Sequence, residues 1–188
     1  MLNRGFKTRA ENIALQIRRE LKLTKTSPLS YGALAEYLGV FLLTPKDIIG
    51  LASSACTLLL CQSKDSWSAV TVSYGKVDMI IYNSSHSKAR QSSDIMHELS
   101  HILLNHEPSK FIMNPTVGVT LRDYNENQED EAKWLAGCLL LPRDTLLFIK
   151  KAGISDQKAI EDYCVSRDLL TYRINVTGVK YQIDGKYK

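Results

Sequence analysis

Several features that define particular protein classes are scarce or missing in this chain of 188 residues. Its four cysteines form no CxxC pair, and so few thiols in a chain of this length do not make a disulfide framework. No apolar run comes near the roughly 18 residues that a membrane span needs. No apolar segment follows the basic residues at the start, so the pattern of a secretory leader is missing as well. These absences favour a cytoplasmic protein with no membrane partner.

The composition is that of an ordinary globular protein, with 44% hydrophobic and 23% charged residues. We expect a single domain over 1–178 and a C-terminal tail over 179–188. The positive charge is unevenly distributed. Residues 1–30 hold seven Lys/Arg against two acids, a net charge of +5, so that residues 31–188 have a net charge of −1. A basic end of this kind can attract DNA or another activating ligand, although a solvated helix face is the simpler explanation.

Hydrophobic periodicity predicts helices at both ends of the chain and a few strands between them. The predicted helices cover residues 9–23, 31–38, 88–105, 126–141, 143–152 and 156–176, with a weaker helix at 45–52. The predicted strands cover residues 40–43, 56–61, 68–74 and 77–82, the last two joined as a hairpin. A loop is expected from about 108 to 124. This order predicts an α+β fold in which a small antiparallel sheet packs on helices.

The motif HELSH at residues 97–101 carries the clearest chemistry. His97 and His101 are one helical turn apart, so both imidazoles can reach one metal ion. Zn²⁺ held by two imidazoles and a carboxylate keeps an open position, at which a bound water has a pKa of about 7. Glu98 is beside that position, where a general base is needed. The alternative is a helix with two exposed histidines and a solvated glutamate.

The third ligand is sought in an acidic cluster at the start of the next helix, which contains Asp123, Glu126, Glu129, Asp130 and Glu131. Glu129 extends a stripe of small residues, Ala132 and Ala136, on which another helix can pack. Glu131 is rotated by about 200° from Glu129, toward solvent, and remains the alternative ligand.

Two further histidines are poorer candidates for metal binding. His106 comes nine residues after His97, about 180° around a continuous helix, which predicts a surface or helix-end histidine. His86 precedes the helix in a polar loop.

Two segments resemble the ImmA/IrrE-type zinc metallopeptidases. They are KARQSSDIMHELSHILLNH at 88–106 and EDEAKWLAGCLLLPRD at 129–144, with weaker similarity over most of residues 10–178. The resemblance implies a zincin-like metallopeptidase domain with mostly helical N- and C-terminal parts, and Glu129 as the third zinc ligand. Ser100 stands where glycine is usual in this family.

The resemblance also implies a function. Such enzymes are zinc endopeptidases that cleave a helix-turn-helix transcriptional repressor, in a phage, mobile-element or DNA-damage-response operon. Two alternatives stay open: a zinc-binding anti-repressor that acts by binding alone, and a DNA-binding regulator. For an enzyme, we expect the substrate to pair with the strand at 77–82, unless that strand is interior to the sheet.

Overall fold

The computed structural model describes residues 2–75, 77–106, 111–113, 120–122 and 125–183. The helices in this part of the chain are α1 (Phe6–Glu20), α2 (Tyr31–Leu38), α3 (Ser53–Thr57), α4 (Lys88–Leu103), α5 (Glu126–Leu140), α6 (Arg143–Lys151), α7 (Asp156–Tyr163), α8 (Arg167–Thr177) and α9 (Val179–Ile183). The strands are β1 (Phe41–Leu43), β2 (Ala69–Tyr74), β3 (Val77–Tyr82), β4 (Phe111–Met113) and β5 (Thr120–Arg122). The predicted α+β fold is confirmed.

Local sequence signals account for several of these boundaries. Ser30 caps α2, because its side-chain oxygen accepts a hydrogen bond from the backbone N–H of Ala33. Gly39 ends the same helix with φ of 70°, a conformation that favours glycine. Pro142, which follows α5 closely, has no N–H with which to continue that helix.

The main sheet has three strands in the order β1-β3-β2. β2 and β3 form the predicted antiparallel hairpin, in which Ala69 pairs with Tyr82. β1 joins the opposite side of β3 in parallel, so the sheet is mixed rather than wholly antiparallel. β3 is therefore the central strand, paired with β2 along its whole length and with β1 over residues 79–81. The expectation that the strand at 77–82 receives a substrate is wrong, and within the described residues β2 is the edge strand beside α4.

Other differences concern short elements. The segment 56–61, predicted as a strand, contains the end of α3 and a π-helical turn, Leu58–Gln62. The weak helix predicted at 45–52 is reduced to a 3-10 turn at Pro45–Asp47. β4 and β5 pair within the region predicted as a loop; residues 107–110, 114–119 and 123–124 lie outside the described residues, as does Lys76 of the predicted turn. The segment predicted as a tail contains α9, and its residues 184–188 are also outside the description.

The core is centred on α5, which packs against α1 on one side and α4 on the other. Small side chains allow these close contacts: Ala10 and Ala14 of α1 and Ala132 of α5 are fully buried, and Ala136 is nearly so. The predicted small-residue stripe on α5 is confirmed. None of the helices in the described part of the chain has the length and apolarity to cross a membrane.

One positive charge of the basic N-terminal segment is buried in this core. Arg18 is 0% exposed, and its guanidinium donates hydrogen bonds to the carbonyl oxygens of Ala14, Ser27 and Leu139. Burial is the main cause that lowers its pKa from 12.5 to about 10. The basic segment is therefore not entirely a solvated face.

Candidate metal centre

Helix α4 holds both histidines of the HELSH motif in fixed positions. Ser87 caps its start, because the Ser87 hydroxyl accepts a hydrogen bond from the Arg90 N–H. The apolar side chains of Ile95, Met96 and Leu99 are fully buried and anchor the helix in the core. The departure at Ser100 is accommodated, since this residue is buried and its hydroxyl donates to the carbonyl of Met96 at 2.7 Å.

The carboxylate of Glu129 meets the two imidazoles. Glu129 lies in the first turn of α5, whose start is fixed by the Asn125 side chain accepting hydrogen bonds from two backbone N–H groups. His97 Nε2 is 3.1 Å from Glu129 Oε2, and His101 Nε2 is 3.5 Å from Glu129 Oε1. The two Nε2 atoms are 3.2 Å apart. Three metal-ligating side chains from two helices therefore surround one small space.

The spacing of these three side chains is compatible with a zinc site. Zinc bonds of about 2.1 Å at tetrahedral angles place neighbouring ligand atoms about 3.4 Å apart. The two Nε2 atoms are separated by 3.2 Å, and each lies within 3.5 Å of one oxygen of the Glu129 carboxylate, His97 of Oε2 and His101 of Oε1. With one ligand atom taken from each side chain, all three lie within 4.8 Å of one another. The side chains of His97, His101 and Glu129 remain 22%, 21% and 16% exposed, so solvent reaches the space between them. Within the described residues the cluster comprises these three side chains, which is the number of protein ligands that catalytic zinc sites have.

Glu98 lies beside this cluster and is held by the sheet. The hydroxyl of Thr71, in β2, donates a hydrogen bond to Glu98 Oε2 at 2.5 Å. The carboxylate of Glu98 also lines the recess that contains His97. The sequence motif predicted the position of Glu98 next to the histidines. It contained no signal for Thr71, which is distant in the chain and reaches α4 through the sheet.

Of the two predicted positions for His106, surface or helix end, the second is confirmed and the first is wrong, because His106 follows the end of α4 but is not a surface side chain. Its side chain is 7% exposed, and its Nδ1 atom lies 3.0 Å from Nδ1 of His101. The helical phase was misleading because α4 ends at Leu103. Asn105 then takes a left-handed conformation with φ of 53°, and the His106 N–H bonds back to the His101 carbonyl. Asparagine tolerates this conformation, so Asn105 was the available signal for the turn.

Glu131 also differs from its predicted exposure to solvent. Its side chain is 16% exposed because His106 and Asn3 pack against it. His106 Nε2 is 3.4 Å from Glu131 Oε2, and the Asn3 amide donates to Glu131 Oε1 at 3.0 Å. Burial lowers the pKa of His106, and the neighbouring Glu131 opposes that shift. Glu131 thus contacts His106, which is not one of the three clustered side chains, and Glu129 is the carboxylate that contacts His97 and His101.

One other histidine of the predicted set lies apart from the cluster. His86 is buried before α4, and its Nε2 lies 2.7 Å from the carbonyl oxygen of Lys64. It does not belong to the group formed by His97, His101 and Glu129. Asp123 of the acidic cluster is outside the described residues.

A recess of about 600 Å³ opens beside His97, between β2, α4, α5 and α8. Its walls include His97, Glu98 and four largely apolar side chains: Trp134, Ala136, Leu169 and Tyr172. Tyr172 is 49% exposed, and its ring meets that of Trp134 edge to face with centroids 6.4 Å apart. The volume is in the range of pockets that hold small ligands or a few side chains of a polypeptide.

Metallopeptidases typically have two histidines one turn apart on a helix, with a glutamate next to the first of them. A carboxylate from a second helix commonly completes the metal ligands. Here the adjacent glutamate also lies near an edge strand. The sequence profile of peptidase family M78, described as the IrrE N-terminal-like domain, matches residues 61–175. Because the match covers more than half of the chain and contains all four of these site residues, the chain belongs to this family. A comparison with curated proteins gives no significant match.

Proposed function

We propose that the protein is a zinc-dependent endopeptidase that cleaves a helix-turn-helix transcriptional repressor in the cytoplasm. Cleavage would relieve repression in a phage, mobile-element or DNA-damage-response operon. The observation that carries the catalytic part of the proposal is the convergence of His97, His101 and Glu129 within bonding reach of one ion, with Glu98 beside them. The repressor substrate follows from similarity to the ImmA/IrrE-type enzymes.

His97, His101 and Glu129 would hold the zinc ion. When bound, the ion would polarise an attacking water and stabilise negative charge on the scissile carbonyl oxygen. Glu98 accepts the proton of the attacking water and returns it to the nitrogen of the leaving amine. The Thr71 hydroxyl holds Oε2 of Glu98, which leaves Oε1 to receive the proton. His97 and His101 keep the lone pairs of their Nε2 atoms directed toward the same space.

The edge strand β2 supports the binding of an extended substrate. One side of β2 pairs with β3, and within the described residues the other side has no strand neighbour. Ser68 and Ala69, at the start of β2, line the recess together with Glu98. A peptide that adds to this edge by backbone hydrogen bonds would therefore pass beside the general base.

The test is incubation of the zinc-loaded protein with the helix-turn-helix repressor encoded by its genomic neighbour. Glu98→Gln removes the base but none of the proposed ligands, so we expect cleavage to fall by about 10²- to 10⁴-fold with zinc content unchanged. Cleavage products are measured by gel electrophoresis and mass spectrometry. Equal cleavage by both forms would contradict the catalytic role of Glu98.

A repression assay and a DNA-binding titration with the same proteins separate the two alternatives. Loss of repression without cleavage, in wild type and Glu98→Gln alike, would indicate an anti-repressor that acts by binding. A steeply salt-dependent affinity for duplex DNA that a chelator does not change would indicate a DNA-binding regulator.

A further inference from the structure

The side chains of His101, His106 and Glu131 contact one another in series. His101 directs Nε2 at Glu129, while its other ring nitrogen, Nδ1, lies 3.0 Å from Nδ1 of His106. The opposite nitrogen of His106, Nε2, is 3.4 Å from Glu131 Oε2. The imidazole planes of His101 and His106 are inclined at 71°. His106 therefore links a proposed metal ligand to a carboxylate that lies outside the metal cluster.

Hydrogen-bond chemistry along this series of side chains favours one set of tautomers. An ionised Glu131 can only accept, so His106 Nε2 carries the hydrogen that it donates. In a neutral His106, Nδ1 then has a free lone pair and accepts from His101. His101 consequently carries its hydrogen on Nδ1 and has a lone pair on Nε2, the atom that faces His97 and Glu129. The reverse tautomer of His101 would place a hydrogen where the metal binds.

We propose that His106 and Glu131 are positioning residues that hold His101 in its metal-binding tautomer and orientation. This inference rests on the proposed zinc site. Metal-binding histidines commonly donate their second nitrogen to a carboxylate or carbonyl, and loss of such a partner weakens metal binding 10- to 100-fold. Here the carboxylate acts through an intervening histidine, and Asn3 holds its second oxygen from the segment before α1.

The geometry around His106 favours this function over simple packing. Its position depends on the left-handed turn at Asn105, which carries the chain back over the end of α4. Both ring nitrogens of His106 face polar atoms, one in His101 and one in Glu131. A residue that only filled space would not need a nitrogen at either position.

The experiment measures the zinc affinity of the full chain by competition with a chromophoric chelator. His106→Phe keeps a ring but removes the acceptor, and we expect zinc to bind 10- to 100-fold more weakly. His106→Asn places an oxygen near the position of Nδ1, so we expect it to restore most of the affinity. Glu131→Ala should weaken zinc binding in the same direction as His106→Phe. Glu126→Ala, an exposed carboxylate in the first turn of the same helix, is the matched control and should bind as wild type does.

Two measurements distinguish positioning from a structural role. The visible spectrum of the Co²⁺-substituted protein reports on ligand geometry, and we expect it to change in His106→Phe and return in His106→Asn. Thermal unfolding of the metal-free proteins shows whether each variant is folded. Zinc affinity within twofold of wild type in both His106→Phe and Glu131→Ala would overturn the inference while leaving the zinc site intact. Failure of the wild type itself to bind zinc would instead overturn the proposed function and, with it, this inference.

Discussion

Thr71 Oγ1 donates a hydrogen bond to Glu98 Oε2 over 2.5 Å and thereby joins the edge strand β2 to α4, the helix that carries the HELSH motif. The strand that we propose for substrate binding and the proposed general base are thus fixed relative to each other. Because a carboxylate that accepts a hydrogen bond has fewer accessible orientations, Thr71 directs the second oxygen of Glu98. This contact makes the edge strand part of the proposed catalytic arrangement.

Replacement of Thr71 by valine removes this hydrogen bond while keeping the shape of a β-branched side chain. A hydrogen bond to a charged group contributes about 1.5–3 kcal/mol, so we expect kcat/KM for repressor cleavage to fall by roughly 10- to 100-fold. Zinc content should stay that of the wild type, because Thr71 contacts none of the proposed ligands. Thr71→Ser retains the hydroxyl and serves as the control. Unchanged kcat/KM in Thr71→Val would show that Glu98 does not depend on this contact.

Loss of a single ligand should separate metal binding from folding. In Glu129→Ala the carboxylate that contacts both imidazoles is gone, and we expect the purified protein to lose its bound zinc after dialysis. At a free zinc concentration 100 times its Kd, the wild type should gain about 2.7 kcal/mol of stability, or roughly 5–10 °C in Tm. Glu129→Ala should not show this increase.

Elemental analysis and thermal unfolding with and without zinc measure both effects. The control is again Glu126→Ala, in the same helical turn. A full equivalent of zinc retained by Glu129→Ala would mean that another side chain completes the site.

The parts of the fold that sequence predicted well are those set by neighbouring residues. Ser30 and Gly39 mark the ends of α2 because a side-chain cap and a left-handed turn are local events. The strand order of the sheet depends on distant pairing, so the hairpin alone could not show that β1 would cover the outer side of β3. Short apolar runs are compatible with helix or strand, and for residues 56–61 the sequence pattern predicted a strand where the structure has helical turns.

The same distinction applies to the site. His97, Glu98 and His101 lie within one turn and a half of α4, so their mutual arrangement follows from helical geometry. The approach of Glu129 could be expected because its helical phase matches that of Ala132 and Ala136. The position of His106 could not be obtained by extending that geometry, since the helix ends before it. Thr71 required knowledge of how the sheet packs on α4.

The buried guanidinium of Arg18 predicts a large loss of stability on substitution. Leu139 is in the last turn of α5, where backbone carbonyls lack partners within the helix, and Arg18 Nη2 donates to its oxygen at 2.7 Å. Arg18→Met leaves that carbonyl and the Ser27 carbonyl without this donor, so we expect a loss of about 3 kcal/mol. Arg19→Met removes the same charge from an exposed position and should change stability by less than about 0.5 kcal/mol.

Urea unfolding at neutral pH compares the two variants. Equal stability losses in Arg18→Met and Arg19→Met would indicate that charge, rather than the buried hydrogen bonds, is responsible.

The recess between α5 and α8 predicts a preference for substrates with large apolar side chains near the scissile bond. Tyr172 forms an exposed part of its wall and lies beside Trp134, so its ring is available to a substrate. Tyr172→Ala should lower kcat/KM for repressor cleavage by about tenfold, since an aromatic contact that is lost with the substrate is worth about 1–2 kcal/mol. Zinc affinity should not change, because Tyr172 is not part of the metal cluster. Tyr181→Ala, an exposed tyrosine of α9 outside the walls of the recess, is the control. If Tyr172→Ala and Tyr181→Ala cleave the repressor equally well, the substrate side chain binds elsewhere along β2.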